Sequence, residues 1–330
     1  MKLLQKFPGL DGVQGLKLAL MGRSPIKKGG IYMTQVAFLG AVELGLIFAL
    51  LAMGIFVTYR ILGIPDLTVE GSYTIGAAIA AVHIVNGQPI LGLPVAAAAG
   101  AGAGIITAFL QTKLKIQPIL AGILTMTALY SVNLSVMNGR ANIALLRQRT
   151  LFTIWANFVG DAPIFRFVLL IGIVIAVGTV LAVFFHTKLG LAVRATGDNE
   201  AMVRASSINA SFTKTVGLAI GNAIAALCGA LVAQYQGFAD INMGAGMVVV
   251  ALASLIIGEA ILGRRTVVWN IFAVNVGAVL YRVILAFALS FRINPANLRA
   301  ISAGIVVLAI SLPAIKNQID IFKIKRRAQR

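Results

Sequence analysis

The stretch FVLLIGIVIAVGTVLAVFF, residues 167–185, contains no charged residue and a single hydroxyl side chain. An α-helix advances about 1.5 Å per residue, so a helix of this length crosses most of the ~30 Å hydrocarbon core of a bilayer. Helices in soluble cores rarely contain so long an uninterrupted apolar run. The stretch therefore predicts a transmembrane helix, and comparable stretches recur along the chain.

The composition of the whole chain agrees with a lipid environment. Of its 330 residues, 59% are hydrophobic and only 12% are charged, whereas soluble domains are about 45–50% apolar and about 25% charged. The sequence predicts an all-α polytopic membrane protein with about nine transmembrane helices. The candidate spans are Val36–Val57, Gly71–Val85, Leu91–Leu110, Pro118–Val136, Phe167–Phe185, Val216–Tyr235, Met247–Gly263, Val267–Leu289 and Leu298–Ile315.

The second of these spans is short and follows the segment GIPDLTVEG, residues 63–71. Pro65 and Gly71 interrupt a continuous helix, which predicts a broken or re-entrant second helix. Unwound backbone at membrane depth occurs where it lines a cavity, and such breaks form binding sites in transporters. Asp66 and Glu70 flank this break. They are candidates for the translocation path, although a surface turn that caps the next helix explains them equally well.

Two further acidic residues lie within predicted spans, and ionisable groups in lipid are functional candidates by default. Glu43 lies in the first span, and Glu259 lies near the end of the seventh. Glu259 could instead pair with Arg264 or Arg265 at the membrane surface. Arg282 is expected to extend toward the surface along its own span. The candidate path residues are therefore Glu43, Asp66, Glu70 and Glu259, and a proton- or ion-coupled transporter that uses Glu43 is an alternative function.

Motifs for catalysis and for phosphate or metal binding do not occur in the sequence. It contains no GxxxxGK[ST], HExxH, CxxC or GxSxG pattern, and so predicts no ATP binding, no catalytic residue, no metal and no cofactor. The net charge of +18 does not indicate nucleic acid, because the basic residues lie at the ends of apolar runs, as topology signals do. The basic tail 316–330 is expected to contact anionic lipids.

The basic residues also predict orientation. When residues 187–214 are placed inside the cell, fifteen lysines and arginines lie inside and six lie outside, with the C-terminus cytoplasmic. Residues 1–32 do not fit this orientation rule, because nine spans place this basic segment outside the cell. Either the break near Pro65 changes the number of membrane crossings from odd to even, or the segment is unusual, or translation begins at Met33. The expected organisation is a basic extension at 1–32, a transmembrane domain at 33–315 and the tail.

A polar segment at residues 187–214, hereafter the polar loop, interrupts the apolar sequence. It contains four basic and two acidic residues, spaced like a short helix between turns. A polar helix held at a membrane surface is suited to docking with a soluble partner, although an ordinary solvated connector has the same composition.

Part of the polar loop, TKLGLAVRATGDNEAMVRASSIN at residues 187–209, resembles the cytoplasmic signature of permease subunits of ATP-binding-cassette importers. The most similar group is the branched-chain amino acid and ribose-type permease family. The matching positions are Arg194, Ala195, Gly197, Asn199, Ala201 and Ile208. Ser207 departs from the pattern, which has a glycine at this turn. The resemblance extends through residues 52–77 and 251–263 and covers about 34–315.

The resemblance implies a function and a set of partners. Two permease subunits, expected to be a homodimer, form a substrate path, and separate ATPase subunits bind at the cytoplasmic face of a bacterial plasma membrane. An extracellular lipoprotein delivers a small polar substrate to the outer loops, and the subgroup is associated with amino acid uptake, including aromatic amino acids. A coupling helix around Asp198–Ser206 docks on each ATPase. The residues implied in coupling are Arg194, Gly197, Asp198, Asn199, Glu200, Ala201 and Arg204.

Overall fold

A computed structural model describes residues 35–160 and 163–290, together with the single positions 303, 304, 307 and 311. This part of the chain is mostly helical. Its helices are α1 (Gln35–Ile55), α2 (Thr68–Val85), α3 (Gly92–Thr112), α4 (Pro118–Val136), α5 (Leu151–Val159), α6 (Pro163–His186), α7 (Lys188–Asp198), α8 (Glu200–Ala205), α9 (Ala210–Gln236), α10 (Met247–Leu262) and α11 (Val267–Ser290). The all-α membrane architecture is therefore confirmed.

Seven helices in the described ranges are long and apolar enough to cross a membrane, and Met247–Leu262 is a shorter apolar helix. The predicted count of nine is not confirmed. The candidate span Leu298–Ile315, the extension 1–32 and the tail 316–330 fall outside the continuous described ranges. The remaining predicted spans each overlap a helix, with bounds that differ by a few residues.

The predicted broken or re-entrant second helix is not confirmed, because α2 is continuous from Thr68 to Val85 and contains Gly71, which was expected to interrupt it. The regular structure is instead interrupted before α2. Helix α1 continues into a π-helical turn, Phe56–Ile61, and regular structure then stops until Thr68. Gly63 has φ +67°, a left-handed conformation that glycine adopts without strain, and the ring of Pro65 cannot donate a helical hydrogen bond. These two residues explain why the helix ends here. Whether the segment re-enters the membrane stays a prediction.

Helix α9 lies at the centre of the bundle and packs against α1, α2 and α3. The contacts use small residues that bring backbones together, as in other helical membrane proteins. A Cβ atom on Gly76 or Gly229 would collide with the backbone of the facing helix, at Ala226 and Tyr73 respectively. In α3, Gly100 and Gly104 face the carbonyl groups of Asn222 and Leu218 on α9. The abundant glycines therefore serve tight helix packing.

One end of the bundle carries a small structure that the sequence did not predict. Strands β1 (Asn142–Ala144) and β2 (Phe238–Asp240) pair antiparallel, with Asn142 opposite Asp240. The short helix α5 follows β1, and its first turn is closed by reciprocal hydrogen bonds between Thr150 and Thr153. This strand pair lies beyond the C-terminal end of α9, whereas the polar loop precedes its N-terminal end.

Candidate functional site

The polar loop forms two short helices joined by a sharp bend. Thr187 caps α7 by accepting a hydrogen bond from the backbone N–H of Gly190 at 3.1 Å. Asn199, with extended backbone (φ −156°), ends α7 and caps α8, since its Oδ1 accepts from the N–H of Met202 at 3.1 Å. Such side-chain caps satisfy the amides that a helix start leaves unpaired. The sequence thus specifies where each short helix begins.

The backbone conformation at the exit from α8 explains why the family pattern has a glycine at the position of Ser207. This residue has φ +60°, in the left-handed region that disfavours residues with a Cβ atom. A glycine, which the family pattern has at this position, adopts this conformation without strain. Asn209 then caps α9 by accepting from the N–H of Phe212 at 3.1 Å.

Several contacts attach the polar loop to the membrane-spanning helices. Thr196 of α7 and Thr213 of α9 share a hydrogen bond of 2.7 Å between their hydroxyl oxygens. Gly197 lies directly against the carbonyl group of Ile61, at the end of the π-helical turn, so that no larger side chain fits without displacement. Val193 and Val203 are buried against the bundle. The loop is therefore held against α1 and α9, which allows a force on α7 or α8 to reach the bundle.

Glu200 adds an electrostatic connection between α8 and α9. Its carboxylate lies 2.6 Å from Arg204 Nη2 and 2.6 Å from Lys214 Nζ. The hydrogen bond from Lys214 is the largest cause that lowers the pKa of Glu200 below its ordinary value; burial opposes it, and the hydrogen bond from Arg204 adds to the lowering. The sequence singled out Glu200 and Arg204, but Lys214, fourteen residues away, was not paired with them.

The outer surface of the polar loop is open and partly apolar. Asp198, Asn199, Ala201 and Arg204 are exposed, and Met202 is 57% exposed. Exposed Leu189, Leu191, Ile208 and Phe212 lie in the same segment. Exposed apolar residues among charged ones are typical of an interaction surface.

A pocket of about 520 Å³ adjoins this surface, lined by residues that include Arg60, His186, Arg194, Asp198, Arg265 and Asn270. It brings two of the predicted coupling residues, Arg194 and Asp198, next to the ends of α1 and α11. Of the predicted coupling residues, Gly197 has a packing role, Asn199 caps α8, and Glu200 pairs with Arg204. Arg194, Asp198, Ala201 and Arg204 are the ones that leave side-chain surface available.

The four acidic path candidates do not form one site. Glu259 lies at the same end of the bundle as the polar loop, with its Oε1 2.9 Å from Arg60 Nε and its Oε2 2.6 Å from Arg264 Nη2. The expected pairing with Arg264 is therefore present, and Arg60 is a second partner. Glu43 is buried and accepts a hydrogen bond from the hydroxyl group of Tyr235 at 2.7 Å.

Asp66 and Glu70 lie on either side of the start of α2. Asp66 is buried and accepts hydrogen bonds from Thr68 N at 2.9 Å and from Asn222 Nδ2 at 2.7 Å. The amide oxygen of Asn222 in turn accepts from Ser72 Oγ at 2.7 Å. Glu70 is partly exposed, and its Oε1 accepts from the backbone N–H of Gly246 at 3.0 Å. Asn222 was missed, although a lone amide in the middle of an apolar span was the available signal.

Arg282 is half-buried and lies against an aromatic ring. Its guanidinium carbon lies 3.6 Å from the centre of the Phe48 ring, within cation–π distance. In the described part of the chain, no carboxylate pairs with it.

Comparison with known proteins supplies the context for this geometry. Residues 38–311 match a family described as branched-chain amino acid transport system / permease component. The chain is 37% identical, over 263 residues, to a tyrosine transport system permease protein of Clostridioides difficile, which covers 79% of this chain and 86% of the relative. It is also 37% identical over 282 residues to an uncharacterised protein of Rickettsia prowazekii, covering 84% and 97%.

A more distant relative is the ribose import permease protein RbsC of Escherichia coli K12, 26% identical over 257 residues, with coverage of 77% and 76%. No solved structure shows detectable similarity to the chain.

Proposed function

Because this chain belongs to the permease family of branched-chain amino acid transport systems, we propose that it is the membrane subunit of an ATP-driven importer for an amino acid. Seven apolar helices and the family identify a multi-pass membrane permease. In the proposal, two copies enclose the substrate path, separate ATPases act from the cytoplasm, and an extracellular binding protein delivers the substrate. The location is the bacterial plasma membrane, with a cytoplasmic C-terminus.

The observation that carries this proposal is the construction of the polar loop. Helix α8 presents Ala201, Met202 and Arg204 outward while Val203 alone is buried beneath them. Its neighbour α7 contacts the end of the π-helical turn through Gly197 and contacts α9 through Thr196. Alternating access by rigid-body tilting requires a stiff link of this kind between a docking element and the bundle. The loop is suited to transmit closure of an ATPase pair to α1 and α9.

The inference that the substrate is an amino acid depends on a similar protein and not on the structure of the polar loop. The tyrosine permease is 37% identical to this chain, whereas the ribose permease is 26% identical. This difference favours an amino acid, aromatic ones included, over a sugar.

The proposal is tested by placing a charge on the outer face of α8. Met202→Arg adds a cation where an apolar side chain is 57% exposed, so it leaves the fold of the loop intact. We expect the tagged variant to lose its co-purifying ATPase and its ATP-driven uptake of tyrosine. The matched control for ATPase association is Leu146→Arg, because Leu146 is 79% exposed beside the strand pair at the opposite end of the bundle. Full ATPase association and uptake in Met202→Arg would reject the coupling role.

A gradient-driven transporter that uses Glu43 remains the alternative from sequence. That function requires Glu43 to exchange its proton during transport. One measurement distinguishes the two functions: uptake into liposomes that contain the purified chain alone. Uptake that is driven by a proton or sodium gradient and is abolished in Glu43→Gln would favour the alternative.

A further inference from the structure

Glu70 differs from the other acidic residues of the bundle in its partners. Glu43, Asp66 and Glu259 are each buried and each contact a side chain that donates a hydrogen bond or carries a positive charge. Glu70 is partly exposed and contacts only backbone amides, at Gly246 and Val248. Within the described ranges, no lysine or arginine lies in ion-pair distance of its carboxylate. In this part of the chain its negative charge is stabilised by amides at the start of α10, without a cationic side chain.

The position of Glu70 is near the middle of the bundle. Ser72, two residues further along α2, is hydrogen-bonded to Asn222, and Asn222 lies near the middle of the 27-residue helix α9. At 1.5 Å per residue, Asn222 is about 18 Å from the beginning of α9, roughly half of a bilayer crossing. Glu70 is thus at a depth where an ionised side chain requires water or a partner.

The backbone beside Glu70 is also irregular. Residues 241–246 form turns between β2 and α10, and Gly244 packs directly against the carbonyl group of Glu70. Asn242, Ala245 and Gly246 are exposed at this level of the bundle. Exposed irregular backbone does not face lipid, because its polar groups would be left unsatisfied. This face therefore borders a water-filled space or a second protein subunit.

We propose that Glu70 is a substrate-binding residue of the translocation path and that its carboxylate contacts the ammonium group of the transported amino acid. The inference rests on the proposed function and deepens it, because it specifies a substrate that carries a positive nitrogen. An ionised carboxylate has about four acceptor positions, so the bonds from the amides of Gly246 and Val248 leave room for a further donor. A charge-assisted hydrogen bond to an ammonium group is about twice as strong as a neutral one. A neutral sugar donates hydroxyl hydrogen bonds to a carboxylate but carries no positive group that would pair with its charge.

The structural role of the same side chain is separable from the binding role. Glu70→Gln removes the charge but keeps an oxygen that accepts from Gly246, so the contact between α2 and α10 is retained. Glu70→Ala removes both the charge and the contact. A role confined to helix contact predicts that only the alanine variant is impaired.

The experiment uses the complete importer, reconstituted with its ATPase and binding protein, and measures uptake of radiolabelled L-tyrosine, ATP hydrolysis and thermal unfolding. We expect Glu70→Gln to lower tyrosine uptake about tenfold or more, with ATP hydrolysis without substrate and the melting temperature at wild-type values. Glu70→Asp, which keeps the charge, restores at least part of the uptake.

Unchanged uptake in Glu70→Gln overturns the inference, as does a loss of uptake that is matched by losses of ATP hydrolysis and melting temperature. A wild-type importer that takes up ribose and not tyrosine also overturns it, while leaving the permease function in place. If the wild-type complex shows no ATP-driven uptake of either compound, the proposed function itself fails and the inference falls with it.

Discussion

Asn222 of α9 donates a hydrogen bond from Nδ2 to the carboxylate of Asp66 at 2.7 Å, across 156 residues of sequence. The contact ties the non-helical segment before α2 to the central helix of the bundle. Asn222 is completely buried and also accepts from Ser72. A carboxylate and an amide that satisfy each other in this way hold an irregular segment in one place.

Loss of this amide is therefore expected to destabilise the bundle. Asn222→Leu leaves Ser72 without its partner and removes one hydrogen bond from Asp66, which keeps that of Thr68; an unsatisfied buried group costs about 1–3 kcal/mol. The melting temperature of the purified protein in detergent should fall by several degrees. Thr127→Val is the control, because this hydroxyl is exposed and bonds only to the backbone of its own helix. An unchanged melting temperature in Asn222→Leu would show that the contact is dispensable.

The left-handed conformation of Ser207 leads to a second prediction. A residue with a Cβ atom in this region carries about 1 kcal/mol of strain, so Ser207→Gly should leave the melting temperature equal or slightly higher. Ser207→Val should lower it, because a β-branched residue is least suited to φ +60°. Thermal unfolding of the three proteins side by side measures the order, and a valine variant as stable as the glycine variant would contradict it.

Glu259 is expected to act in stability rather than in substrate binding. Its side chain is 5% exposed and contacts both Arg60 and Arg264. Replacement by leucine leaves Arg60 without its partner. Breaking a buried ion pair costs about 3–5 kcal/mol. Because Arg60 is 34% exposed, the expected loss of folding stability is below that range. Adding Arg60→Leu should recover part of the loss. Unfolding of the single and double variants tests this, and no recovery would mean that the two residues act independently.

The ion pairs of Glu200 predict a dependence on pH. Because the pKa of this carboxyl is lowered from 4.5, its pairs with Lys214 and Arg204 are complete above pH 4.5 and are lost as the pH falls through the lower folded-state value. A spin label at Ser206→Cys should therefore become more mobile below pH 4.5, and adding Glu200→Gln should make its mobility high at all pH values. Cys228 is buried and does not compete for the label. Equal mobility at pH 7 and below pH 4 would contradict the pairing.

The sequence predicted the local features of this molecule and missed the long-range ones. Apolar runs indicated the approximate positions of the helices, and Pro65 marked the interruption before α2, whereas Gly71, also expected to interrupt the helix, lies within α2. The polar loop was located correctly, since its caps Thr187, Asn199 and Asn209 act within three residues of their own position.

Contacts between distant segments depend on how the helices pack, which no local pattern records. The Glu43–Tyr235 bond joins residues 192 positions apart, and β1 pairs with β2 over nearly a hundred residues. For this reason the four acidic residues were grouped as one path on the basis of charge alone. The structure separates Glu70 from the other three by its partial exposure and because, in the described ranges, its carboxylate accepts from backbone amides and not from a side chain.

The central claim is that the polar loop docks on an ATPase, and crosslinking tests it most directly. A photoreactive amino acid is placed at Met202 in the tagged chain, with Leu146 as the control position, and native membranes are irradiated before mass spectrometry. The account predicts that position 202 captures an ATPase subunit and that position 146 does not. Capture of lipid alone at position 202, or capture of the ATPase only at position 146, would contradict it.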